Sequence, residues 1–181
     1  MGSPGMTSWV PAKPGRYVRL SPGQVQDFRY RTGLVGGVLG LVGLAAGVTS
    51  IGLGMRLPTT HYLFGSWAWF LAAMADLVLV LTGFVVLNPG RHLRADHLDV
   101  KLVRRTREGL GVLWGLSTVL VLGSAWNLAS LTPRAARDGF PFNGVAWAFV
   151  VLLGLTVVLG GVAYVLGRRA VVAPPTVWSG Y

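Results

Sequence analysis

Four long apolar runs, over roughly residues 33–55, 63–87, 109–131 and 144–166, alternate with polar segments along the chain. Each holds twenty residues or more and is nearly free of charge. In helical form such a run crosses a hydrocarbon core about 30 Å thick. The pattern predicts four transmembrane helices. The segments after the first and third runs are short. "MRLPTTHY" holds Pro58 and "LTPRAARDGFPFN" holds Pro133 and Pro141, which read as helix stops. A longer polar stretch, "NPGRHLRADHLDVKLVRRTRE", joins runs two and three.

The expected architecture is an all-α membrane protein with its four helices paired as two hairpins. Its parts are an N-terminal tail (1–31) with a short juxtamembrane helix, a first hairpin (32–87), a basic linker (88–108), a second hairpin (109–167) and a C-terminal tail (168–181). The tail segment "SPGMTSWVPAKPGRY" reads as extended or disordered until it meets a partner. In "SPGQ" at 21–24, Ser21 as N-cap, Pro22 at the first helical position and Gln24 at the third form a capping box. That box predicts a short helix through Val25 and Phe28 near the membrane surface. Aromatic side chains in the polar tails, Trp9, Trp178 and Tyr181, read as docking points for partner subunits.

The two halves echo one another. "RTGL" at 31–34 recurs as "REGL" at 107–110, "FGSWAWFL" at 64–71 as "NGVAWAFV" at 143–150, and "LTGFVVLNPGR" at 81–91 as "LGGVAYVLGRR" at 159–169. A tandem duplication of one hairpin would produce this and would be a parallel repeat, although apolar sequences also match by chance.

Charge sets the orientation. Charged residues are only 12% of the chain, about half the share of a soluble domain. Lys and Arg still outnumber Asp and Glu by 16 to 6. Thirteen of those cations fall in the two tails and the linker, against Arg56, Arg134 and Arg137 on the other side. Positive-inside bias places both termini and the linker in the cytoplasm. The basic residues flanking the spans, Arg29, Arg31, Arg104, Arg105, Arg168 and Arg169, suit anionic lipid headgroups. No nucleic-acid partner is expected from charge distributed this way. The Ala, Gly, Arg and Val bias is that of a GC-rich bacterium, so the expected location is a bacterial inner membrane.

Chemistry is sparse. The chain has no cysteine, which removes disulfides, thiolate metal sites and thiol nucleophiles. His92 and His97 sit beside Asp96 and Asp99 in "RADHLD", but one histidine among arginines reads as a solvated face, and no metal site is assigned. No pair of histidines lies within facing spans to ligate haem, so no cofactor is expected. No Ser, His and acid set points to catalysis. The aromatics Tyr62, Trp67, Trp69, Trp126, Phe140, Phe142 and Trp147 read as a belt at the outer membrane boundary.

One residue breaks the apolar pattern. In "AAMADLVLVLTG" at 72–83, Asp76 stands near the middle of the second span. Its helical neighbours Trp69, Ala72, Ala73, Val80 and Gly83 form a mostly small stripe, which predicts that the acid faces protein. Three roles fit: a neutral carboxyl hydrogen-bonded within the bundle, a contact to a basic or amide group on a partner subunit, or a proton- or cation-coupling carboxylate. The polar side chains within reach of the bundle interior are Thr49, Ser50, Ser117, Thr118, Ser124, Asn127 and Thr156; depth favours Ser117, Thr118 or Thr156. Asp76, Trp69 and Asn127 are the expected intramembrane contacts. Glycine pairs 33/37, 36/40 and 43/47 in the first span fit the spacing that lets helix backbones approach closely. The function expected from this inventory is a non-catalytic subunit among other integral-membrane subunits. The different-class alternative is a small oligomeric transporter or channel that uses Asp76.

Overall fold

The computed structural model describes residues 17–62, 66–93 and 97–172. Four long helices dominate: α1 (Pro22–Gly54), α2 (Ser66–Arg91), α3 (Val100–Arg137) and α4 (Gly144–Ala170). All four are long and apolar enough to cross a membrane. A two-stranded antiparallel sheet, β1 (Tyr17–Arg19) with β2 (His97–Asp99), lies at one end, and a 3-10 turn over Pro58–His61 follows α1 at the other. These are called the sheet end and the loop end below.

At about 1.5 Å per residue, the 33 residues of α1 and 38 of α3 reach about 50 and 57 Å, well past the hydrocarbon thickness. The juxtamembrane helix is therefore not separate. The capping box is present, with Ser21 Oγ accepting from the Gln24 amide and Gln24 Oε1 accepting from the Ser21 amide. The helix it starts continues unbroken into the first span. Two contacts hold the polar turn helical, with Thr32 Oγ1 donating to the Phe28 carbonyl at 2.8 Å and Arg31 pairing with Asp27, and Arg29 Nη2 ties the turn to the linker by donating to the Leu93 carbonyl at 3.2 Å. The polar linker is likewise largely ordered. α2 runs through Pro89 to Arg91, and Asp99 caps α3 by accepting from the amides of Lys101 and Leu102.

Pro133 does not end the third helix, which continues to Arg137. Membrane helices tolerate proline because neighbouring groups take up the backbone polarity it frees. The stop lies six residues later, where Gly139 adopts φ 86°. The Phe140 amide donates to the Ala135 carbonyl at 2.8 Å and the Gly139 amide to that of Ala136 at 3.4 Å, the 6→1 and 5→2 bonds that close a helix around a left-handed glycine.

The chain is helical as expected, with one small sheet added. Tyr17 pairs with Asp99, Val18 with Leu98 and Arg19 with His97, so the end of the N-terminal tail is joined to the central linker. Leu20, Phe28, Leu93, Leu98, Val103 and Val171 bury themselves beneath it. The remainder of the tails, with Trp9, Trp178 and Tyr181, lies outside the described residues.

Within the bundle, α2 packs on all three other helices, and α1 also touches α4. The α1–α2 contact is the closest. A Cβ on Gly83 would lie 2.6 Å from the Gly36 carbonyl oxygen and 2.8 Å from the Gly40 nitrogen, and one on Gly43 would lie 2.8 Å from the Val80 nitrogen. Glycine pairs 36/40 and 43/47 thus face α2. Gly33 and Gly37 face open space, so that pair does not serve this contact. α3 and α4 meet toward the sheet end, where Trp114 stacks on Tyr164, and part toward the loop end around an apolar groove of about 580 Å³.

Candidate functional site

The interior consists of two apolar clusters with a polar layer between them. The sheet-end cluster takes Leu39, Leu79, Leu110 and Ala163 from the four helices; the loop-end cluster takes Leu57, Ala75, Val121 and Leu153. Ser50, Asp76, Ser117 and Thr156 stand between these sets, one from each helix, all with 3% exposure or less.

Asp76 is the centre of this layer and is fully buried. Ser50 Oγ on α1 donates to its Oδ2 at 2.5 Å, and Thr156 Oγ1 on α4 donates to its Oδ1 at 2.9 Å. One carboxyl therefore ties three helices. Thr156 Oγ1 also lies 3.1 Å from the Leu152 carbonyl, so the cluster offers a fifth oxygen. Ser117 Oγ on α3 donates to the neighbouring Ala75 carbonyl at 3.4 Å, and Ser124, two turns on, donates to the Ala68 carbonyl at 2.6 Å. The third helix thus joins the layer through the backbone of α2 rather than through the carboxyl.

The predicted face is the observed one: Ala72 and Val80 are buried with Asp76, and Gly83 lies against α1. Thr156 is among the partners favoured by depth. Ser50 is not, because depth counted from the start of the apolar run puts it near the loop end. The register of α1 on α2 brings it back. Gly36, Gly43 and Ser50 recur every seven residues on one face, and Gly47 brings its backbone within reach of Asp76 Cβ. That seven-residue rhythm is the sequence signal that identifies Ser50. Thr49 and Thr118 turn their hydroxyls back to Ala45 and Trp114 of their own helices. Asn127 stays apart from the cluster, half-buried, with no acceptance at Oδ1 among the described residues. Trp69 packs within the chain, its Cβ directly over Gly54.

At the loop end, Tyr62 Oη donates to Asp138 Oδ2 at 2.5 Å, and Arg134 lies 5.6 Å from the Tyr62 ring centre. The bond to Asp138, followed by lost hydration and the Asp138 charge, holds the Tyr62 phenol above its usual value, against the pull of Arg134. His61 stacks on Phe140 at 4.5 Å. Of the belt aromatics, Trp67, Trp126 and Trp147 are well exposed.

The six basic residues expected at lipid headgroups divide by contact. Arg31 is bonded to Asp27, Arg104 to Glu108, Arg29 to the Leu93 carbonyl and Arg168 to Tyr164. Arg105 and Arg169 are simply exposed.

Comparison with protein-family models, curated proteins and solved structures finds no match to the chain.

Proposed function

We propose that the protein is a non-catalytic integral-membrane subunit of a larger bacterial inner-membrane assembly of respiratory or transport type. The observation that carries this is the state of Asp76. Its two oxygens are both engaged by hydroxyls of its own chain and it is fully buried. An acid held in this way serves cohesion and does not need to ionise. The bilayer-facing sides of the helices are broad and apolar, with Leu34, Val38, Leu41, Val119, Leu122 and Val158 exposed, a surface on which partner helices and lipid can pack. Both termini and the basic segment between α2 and α3 belong, on this reading, to the cytoplasmic side.

The alternative, a small oligomeric transporter or channel, draws on the same cluster. A carboxyl, two hydroxyls and the Leu152 carbonyl make an oxygen set suited to a proton or a sodium ion. Purification in mild detergent followed by native mass spectrometry separates the two readings. The subunit reading expects other membrane proteins in fixed ratio, and loss of them when residues 1–16 or 173–181 are removed with β1 left intact. A pure homo-oligomer from the native membrane overturns it in favour of the transporter.

A tandem origin for the two halves belongs to the same proposal. At the 78-residue spacing that relates 81–91 to 159–169, buried Leu39, Gly43, Ala46 and Ser50 fall on buried Ser117, Val121, Ser124 and Leu128. On that alignment Asp76 falls on Gly154, which lines the groove between α3 and α4, so the acid belongs to one half alone.

A further inference from the structure

At the loop end, the segment that follows α1 and the segment that joins α3 to α4 together line an open cavity of about 330 Å³. Local chemistry brings its two walls together. On one side Pro58 starts the 3-10 turn, within which the Thr60 hydroxyl donates to the Leu57 carbonyl at 2.7 Å. On the other the left-handed Gly139 turns the chain, and Phe140 stacks on His61 with centroids 4.5 Å apart. The Tyr62–Asp138 bond fastens the same two segments. The volume lies within the range of about 300–1,000 Å³ that small-molecule sites occupy.

The cavity presents hydrogen-bond donors and no carboxylate. Arg56 lines it with an exposed guanidinium that has no ion pair or hydrogen-bond partner among the described residues. His61 lines it as well, and its ring nitrogens have no partner among the described residues. Asn143 caps α4 by accepting from the Ala146 amide at 3.1 Å, which spends its carbonyl oxygen and leaves its NH₂ group to donate. The acid at this end is Asp138, which accepts from Tyr62 and does not line the cavity. Arg56, Arg134 and Arg137 outnumber it three to one. Much of the remaining wall is apolar and accessible, with Met55 62% and Phe140 40% exposed.

We propose that this cavity binds a small oxyanion, a carboxylate or a phosphate, borne on an apolar body. The Arg56 guanidinium makes the charged bonds to the anion's oxygens, and the Asn143 amide and the His61 ring N–H add neutral ones. Met55 and Phe140 take the apolar part. A cation would meet Arg56 as a like charge, and a wholly apolar molecule would strip water from the guanidinium without replacing it. A phospholipid headgroup and a soluble organic anion both carry this chemistry, and the arms of the experiment separate them. The inference rests on the packing of the two loops alone, so it stands or falls separately from the subunit reading.

The test is isothermal titration of the full chain in a neutral maltoside detergent with phenyl phosphate and with inorganic phosphate, each against a detergent blank. The wild type is expected to bind phenyl phosphate severalfold more tightly than inorganic phosphate. Arg56→Gln is expected to weaken binding about tenfold, the scale of one charge-assisted hydrogen bond. Asn143→Asp keeps an oxygen for the Ala146 amide, so α4 stays capped, but it replaces the donor with a carboxylate. It is expected to weaken binding by about tenfold or more. Arg137→Gln makes the same change of charge outside the cavity lining and should leave binding within about twofold, because solvent and salt screen exposed charges. Unchanged thermal unfolding shows that the variants remain folded. Phosphatidylglycerol added to the micelles identifies the source: competition with phenyl phosphate supports a headgroup site, and lack of competition supports a soluble ligand. Three results overturn the proposal. The first is no measurable binding of millimolar phenyl phosphate by the wild type. The second is equal binding by the wild type and a folded Arg56→Gln/Asn143→Asp double variant. The third is inorganic phosphate binding as tightly as phenyl phosphate, which would remove the role of the apolar wall.

Discussion

The atoms that matter most at the residue scale are Ser50 Oγ, the two carboxyl oxygens of Asp76 and Thr156 Oγ1, because through them one side chain fixes three helices. Their geometry needs a polar group of carboxyl size, not a titrating proton. Asp76→Asn retains an oxygen for one hydroxyl and should preserve both assembly and stability. Asp76→Leu removes the acceptor of the buried Ser50 hydroxyl and leaves Thr156 only the Leu152 carbonyl of its own helix, and should cost about 1–2 kcal/mol, the scale of interhelical hydrogen bonds in membranes. Denaturation of the purified protein in detergent measures both. Normal assembly of Asp76→Asn together with loss of a proton- or sodium-linked flux would instead establish the transporter. That the acid faces protein was legible from the small residues around it. Its partner on α1 was not, because helix register arises from two surfaces meeting, and Ser50 is distinguished only by the glycines in phase with it.

At the scale of elements, α1 and α2 are held at a separation that only glycine permits. A methyl on Gly83 meets the backbone of Gly36 and Gly40, which cannot swing aside as a side chain does. Gly83→Ala should destabilise by about 1–3 kcal/mol, the usual cost of overpacking. Gly33→Ala, with nothing within 4 Å of its new methyl, should be neutral or stabilise by up to about 1 kcal/mol through helix propensity. Equal thermal stability of the two variants would remove close packing as the reason for the glycines. The apolar runs gave the number and approximate position of the helices, since membrane thickness sets a length that composition reveals. Their ends were less legible. Pro133 resembles a stop in sequence, yet the stop is made by Gly139, whose left-handed backbone lets the Phe140 amide reach Ala135.

Over the whole molecule, the unequal distribution of cations makes a topological prediction. Reporter fusions at the sheet end, near residues 20, 92 and 172, should report the cytoplasm, and fusions near 58 and 139 the opposite side. A periplasmic signal from residue 92 would reverse the orientation while leaving the fold intact. The sheet itself had no sequence signature: β1 and β2 are three residues each, and only their pairing distinguishes them from the tail and linker around them. That pairing also dictates an order of events during synthesis. Tyr17 leaves the ribosome long before Asp99, its partner in register. At about 5–20 residues per second, roughly 80 intervening residues take about 4–16 s to make. The first strand must wait through that interval while α1 and α2 are made, and the sheet can close only once the residues that lead into α3 have been added. The small sheet is thus a clasp fastened midway through biogenesis, and a chain stalled before residue 97 would be expected to leave its N-terminal strand open to proteases.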